Sequence, residues 1–158
     1  MKRRKTQIKT ILVVLLALLL AFIWLHSMMP AEDSAEESQR VGQFLTPFLE
    51  LLVGEGNVTD HLVRKLAHFC EYGALGILAG ALLLVKKESG IFRWSYTLLC
   101  ALAVAVVDES IQLLADGRGA QVQDVLLDAA GSLTGLLAVW LIAVLVRWLR
   151  HRDRTASQ

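Results

Sequence analysis

Arg64-Lys-Leu-Ala-His-Phe-Cys-Glu-Tyr72 stands where an apolar segment of membrane-spanning length begins, and it carries Arg64, Lys65, His68 and Glu71 into that segment. Inside a bilayer an acidic or basic side chain costs about 2.5–3.5 kcal/mol at a helix centre on insertion scales, and less near the interface. A helix keeps such groups only where the protein uses or neutralises them. Later apolar segments supply partners, Asp108 and Glu109 in one and Asp124 and Asp128 in another. The expectation is that these groups meet in one buried polar cluster.

Composition sets the class. The chain has 158 residues, enough for one domain, read here as a single membrane domain over residues 1–158. A hydrophobic content of 55% and a mean hydropathy of +0.52 are too apolar for an ordinary soluble domain of this size. The net charge of +1 offers no basic surface for nucleic acid. Cys70 and Cys100 fall in different apolar segments and at different depths, so they read as two small apolar core thiols, not a disulfide.

In chain order, the basic head Lys2-Arg-Arg-Lys5 precedes a first span at about 8–28. A basic region before an apolar run also describes a signal peptide. No convincing small-residue cleavage pattern follows Trp24-Leu-His-Ser-Met-Met-Pro30, so an uncleaved span is expected. The acidic connection to His61 contains Val41, Phe44, Leu45, Phe48, Leu49 and Leu52 as one helical stripe, with Pro47 weakening its middle. Two readings stand for it: a short amphipathic helix on the membrane surface or over the cluster, and a helix packed on its neighbours. Further spans are expected at about 62–85, 94–114 and 122–148. The turn Lys86-Lys-Glu-Ser-Gly90 joins the second to the third, and Ala115-Asp-Gly-Arg-Gly-Ala-Gln-Val-Gln123 the third to the fourth. Gly73, Gly76 and Gly80 mark a face for close helix approach.

The fold class is therefore all-α, a polytopic membrane protein with four transmembrane helices and an amphipathic helix in the first external connection. Charge sets the orientation. With both termini cytoplasmic, every one of the 16 Lys and Arg residues except Arg40, Arg64, Lys65 and Arg118 lies on the inner side.

This topology puts His68, Asp108 and Asp128 six residues from the outer ends of their spans, roughly 9 Å deep at about 1.5 Å per residue. Arg64, His68 and Glu71 share one helix face, Asp108 and Gln112 another, and Asp124, Asp128, Gly131 and Gly135 a third; Glu109 starts a neighbouring stripe. Taken singly, each residue has an ordinary explanation. Arg64 and Lys65 read as snorkelling cations, His68 as a satisfied buried histidine, Gln112 as an interhelical donor and Asp124 as an N-terminal helix acid. Glu71, Asp108, Glu109 and Asp128 together are not covered this way. Four unpaired buried acids would cost on the order of 10 kcal/mol. Pairing with Arg64 and Arg118 would offset much of that in a structural network; a functional site is the preferred reading, since intramembrane ionisable groups are functional by default.

The same residues carry a likeness. Arg64-Lys-x-x-His-Phe-x-Glu-Tyr72, Asp108-Glu-x-x-Gln112, Gly117-Arg118 and Asp124-Val-Leu-Leu-Asp128-x-x-Gly131, in that order, resemble the VanZ-like family of small bacterial membrane proteins over about residues 35–146. The family motif falls on Arg64, His68, Glu71, Tyr72, Asp108, Glu109, Gln112, Arg118, Asp124 and Gly131, and some members carry Asn in place of Asp128. The resemblance implies a multi-pass protein of the bacterial cell membrane in a cell-envelope setting. Through the member that gives the family its name, it also implies a link to resistance to the glycopeptide teicoplanin. It implies no reaction.

Three functions fit these residues. In the first, Arg64, Lys65 and Arg118 hold the phosphate or carboxylate of an envelope amphiphile, with Tyr72, Gln112, Asp124 and Asp128 completing the site; the amphiphile is a lipid, a lipid-linked precursor or a lipoglycopeptide antibiotic. In the second, His68, Glu71, Asp108 and Glu109 serve an enzyme as acid, base or metal ligands acting on a lipid-linked substrate. In the third, the acids relay ions in a small ion-coupled transporter. No nucleophile motif, phosphate-binding glycine loop or CxxC pair is present. Cofactor and oligomeric state are not legible.

Overall fold

A computed structural model describes residues 2–86 and 90–156, and every element in it is helical. The order is α1 (Lys2–Ser27), α2 (Ala31–Val53), α3 (Asp60–Lys86), α4 (Ile91–Gln112) and α5 (Val122–Ala156). Four of these helices, α1, α3, α4 and α5, are long and apolar enough to cross a membrane. The middle of the expected Lys86–Gly90 turn, residues 87–89, lies outside the described residues.

Local chemistry explains most boundaries. The hydroxyl of Thr59 accepts the Leu62 N–H at 3.2 Å and caps the start of α3, where Asp60 favours the helix dipole. α2 ends at Gly54, whose φ of +90° is one that side chains avoid, and the Gly54 N–H returns to the Glu50 carbonyl at 2.9 Å. The third span stops at Gln112, two residues before the expected end. There the chain tightens into successive turns, Leu114 N–H to Ile111 and Ala115 N–H to Gln112, before the positive φ of Gly117 reverses it. α5 runs on past the expected 148, because its arginine-rich tail contains good helix formers and no Gly or Pro to stop it.

α2 departs from the short helix expected. It is 23 residues long and continues through Pro47. Pro47 deprives the Gln43 carbonyl of its helical donor, but both residues are exposed, so no buried polar group is orphaned there. The face that α2 buries is small and polar, Ser34, Ser38 and Gly42, and it packs on α3 through Val63. The apolar stripe faces away: Val41, Phe44, Phe48 and Leu52 are all exposed.

The interior is the inverse of a soluble core. Its apolar centre is a modest cluster of Ile23, Tyr72, Leu75, Ala101 and Ala105, while Asp108, Asp128 and Ser132 are more completely buried than most apolar side chains. Large hydrophobics such as Leu18, Leu99, Leu126 and Ile142 lie on the outside of the bundle. That distribution suits a lipid surround, in which apolar side chains gain little from facing inward and small residues allow close packing. Cys70 and Cys100 are free but exposed, so the expectation of core thiols is corrected: both sit on the outward apolar faces of their helices.

α3 is the hub, touching all four other helices. Its closest partner is α5. A Cβ at Gly76 would strike the Ser132 carbonyl, one at Gly131 the Phe69 carbonyl, and one at Gly135 the Gly73 carbonyl. These glycines bring the two backbones together along the face expected for small residues.

Candidate functional site

The polar residues gather at one end of the bundle, where α1 and α4 finish and α3 and α5 begin. The connection after α4 ties this end together. The Asp116 carbonyl accepts the Ala31 N–H at 3.0 Å, and Arg118 donates to the Ser27 carbonyl at 3.2 Å. Glu109 turns toward the same connection and accepts the Gln121 N–H at 2.6 Å. Glu109 is thus a carboxylate that holds a loop.

At the centre, His68 of α3 faces Asp108 of α4 and Asp128 of α5. Its Nδ1 lies 4.0 Å from Asp108 Oδ2 and 3.8 Å from Asp128 Oδ1. The sequence placed these three at one depth, and the fold brings one ligating atom from each within 4.8 Å of the others. Asp108 and Asp128 are essentially inaccessible. Gln112, one turn beyond Asp108, donates to Asp108 Oδ2 at 3.4 Å. Asp108 Oδ1 and both oxygens of Asp128 have no hydrogen-bond partner.

Glu71 is directed elsewhere. Its Oε1 lies 3.6 Å from His26 Nδ1, while His26 Nε2 meets Glu37 of α2 at 2.9 Å. The His26 ring stacks on that of His68, with centroids 6.4 Å apart. His26 and Ser27 were missed in the sequence. The available signal was an ionisable side chain at the very end of an otherwise apolar run, which is easily read as an interface residue.

Beside the His68 centre is a cavity of about 250 Å³ lined by His61, Arg64, Lys65, Arg118, Gln121 and Asp124, with His68 and Gln112 also on its wall. Its three cations differ. Lys65 is taken by Asp124 at 3.1 Å. Arg64 and Arg118 have no carboxylate within ion-pair distance among the described residues, and Arg64 Nε is buried without a partner. Burial first, and then the neighbouring Arg64 guanidinium, push Arg118 below its ordinary pKa; Asp108, Glu109 and Asp124 act the other way. The pairing of both arginines with the buried acids, one expectation from the sequence, is therefore not made at contact distance. Tyr72 lies within electrostatic reach of Asp108 and Asp128 but not on the cavity wall. It is fully buried in the apolar cluster, with its hydroxyl unpartnered and its carbonyl accepting from Ser132 at 3.3 Å.

No curated protein and no solved structure matches the chain. A family model described as VanZ/LLP1 matches residues 12–145, most of the chain. The chain belongs to the VanZ/LLP1 family and is a multi-pass membrane protein, of the plasma membrane in bacteria.

Proposed function

We propose that this VanZ/LLP1-family protein binds the anionic head of an envelope amphiphile in the cavity of Arg64 and Arg118, from the outer leaflet. The observation that carries the reading is the pair of guanidiniums on one cavity wall, neither with a carboxylate within ion-pair distance among the described residues. Two half-buried cations side by side repel each other, and an anion between them would turn that repulsion into attraction. Guanidinium is suited to the task, since its planar fork matches phosphate or carboxylate oxygens.

Orientation supports access from outside. The basic head of α1 and the arginines after Val146 lie at the end of the bundle away from the cavity, and basic flanks favour the cytoplasm. The exposed Phe44, Phe48 and Leu52 of α2 support a helix resting on the outer membrane surface beside the cavity, within reach of a lipid tail. Lipid, lipid-linked precursor and lipoglycopeptide share the required chemistry, an anionic group on an apolar anchor. An effect on teicoplanin resistance would follow if such a molecule is sequestered there.

Ion-coupled transport is less well supported. Beyond the site, α3 and α5 close on each other through Gly73, Gly76, Gly131 and Gly135, leaving no ionisable stepping stones along that seam.

The test is mass spectrometry of lipids copurified with the native protein and with the Arg64→Ala, Arg118→Ala double variant. Loss of a bound anionic amphiphile in the variant is expected. Identical lipid content, in a variant that remains helical and monodisperse, would overturn the reading.

A further inference from the structure

We propose that His68, Asp108 and Asp128 form a binding site for a divalent transition-metal ion, with Zn²⁺ as the best match. The site goes beyond amphiphile binding and does not depend on it. Three helices contribute one ligand each: α3 an imidazole, α4 and α5 a carboxylate.

Spacing is the first argument. The two His–Asp separations, 3.8 and 4.0 Å, are too long for hydrogen bonds. Ligands about 2.0–2.2 Å from a tetrahedral ion stand about 3.4 Å apart along each edge. Both His–Asp edges are therefore close to the width that an ion between the three atoms requires, and the Asp108–Asp128 edge, no longer than 4.8 Å, would draw in around it.

Orphaned atoms are the second. Asp128 is 1% exposed and Asp108 0%, yet both oxygens of Asp128 and one of Asp108 have no hydrogen-bond partner. Buried polar atoms without partners are rare and costly, and an absent ion is one of the ordinary reasons for them. Neither carboxylate has a Lys or Arg within ion-pair distance among the described residues. Lys65 pairs with Asp124, and Arg118 donates to Ser27. Two buried carboxylates this close cannot both ionise without a counter-charge, and a divalent ion supplies it.

Ligand type is the third. One imidazole with two carboxylates is a borderline set, suited to Zn²⁺ and unlike the all-oxygen sites of Mg²⁺ and Ca²⁺. The structure also sorts the four candidate ligands of the sequence. Glu71 and Glu109 are excluded, because one meets His26 and the other the Gln121 N–H. Asp128 replaces them. Three protein ligands leave a further coordination position, and His68 stands on the wall of the arginine-lined cavity.

The test uses the full chain, purified in detergent without a polyhistidine tag, stripped with chelator, reloaded with Zn²⁺ alone and desalted. Elemental analysis should find about one Zn²⁺ per chain. Asp128→Asn and His68→Ala should each lower Zn²⁺ affinity by at least ten- to a hundredfold, the loss that even outer-shell substitutions cause at metal sites. His61→Ala, on the exposed histidine of the cavity wall, should keep the ion. Wild-type protein that retains no stoichiometric Zn²⁺ overturns the proposal and leaves the three groups sharing protons. So does Zn²⁺ retained by both site variants, or a site that fills with Mg²⁺ in preference to Zn²⁺. Helical circular dichroism and gel filtration identify a variant that misfolds; the wild-type stoichiometry decides against the proposal even then.

Discussion

His68 Nδ1 lies 3.8 Å from Asp128 Oδ1, and what holds that separation is the glycine seam one turn deeper, where Gly131 backs onto the Phe69 carbonyl. Two side chains from distant parts of the chain meet because two backbones are allowed to touch. Site and seam are therefore one structure, and each makes the other testable.

The seam predicts the first result. Gly135→Ala forces a methyl group into the Gly73 carbonyl, and overpacking of this kind costs about 1–3 kcal/mol. Thermal unfolding in detergent should show a lower Tm. Gly119→Ala, where a Cβ meets nothing within 4 Å, serves as the control and should leave the Tm unchanged.

The loop after α4 predicts the second. Glu109→Ala removes the acceptor of the Gln121 N–H, whereas Glu109→Gln keeps a carbonyl oxygen in place. Hydrogen exchange over residues 115–121 should speed up in the alanine variant and change little in the glutamine variant. Equal acceleration in both would mean that charge, and not the hydrogen bond, orders the loop.

Lys65 and Asp124 supply the third. Both side chains are more than one-quarter exposed, so the pair is screened and its coupling should be modest, about 0.5–1 kcal/mol. A double-mutant cycle with Lys65→Met and Asp124→Asn measures it. A coupling near zero would free Lys65 to serve as a third ligand for an anion.

The fourth separates charge from geometry in the cavity. Arg64→Lys preserves charge but loses the planar fork, so copurified anionic amphiphile should fall well below the native level while exceeding that of Arg64→Ala. Lipid mass spectrometry reads both. Full retention in Arg64→Lys would show that a point charge suffices.

The exposed stripe of α2 gives the last. A tryptophan at Phe44, 76% exposed, should be quenched by brominated lipid in reconstituted vesicles, whereas one at Gln39, off the apolar stripe, should not. Equal, weak quenching at both positions would lift α2 off the membrane.

Much of this protein was decided along the chain itself. Apolar runs of spanning length fix four helices, because a backbone in hydrocarbon must satisfy its own hydrogen bonds. That His68, Asp108 and Asp128 stand at one level of the bundle followed from counting residues inward from the same ends, and the close seam followed from glycines at helical spacing. The partners did not follow. Glu71 and His68 are three residues apart on one helix face, yet one turns to His26 and the other to the two aspartates. Glu109 is adjacent to Asp108 but caps a loop. Sequence periodicity determines which way a residue points around its own axis; only the rotation and crossing of the neighbouring helices determine what it meets. That is why α1, which reads as a simple apolar span, was able to deliver His26 and Ser27 to the site unannounced.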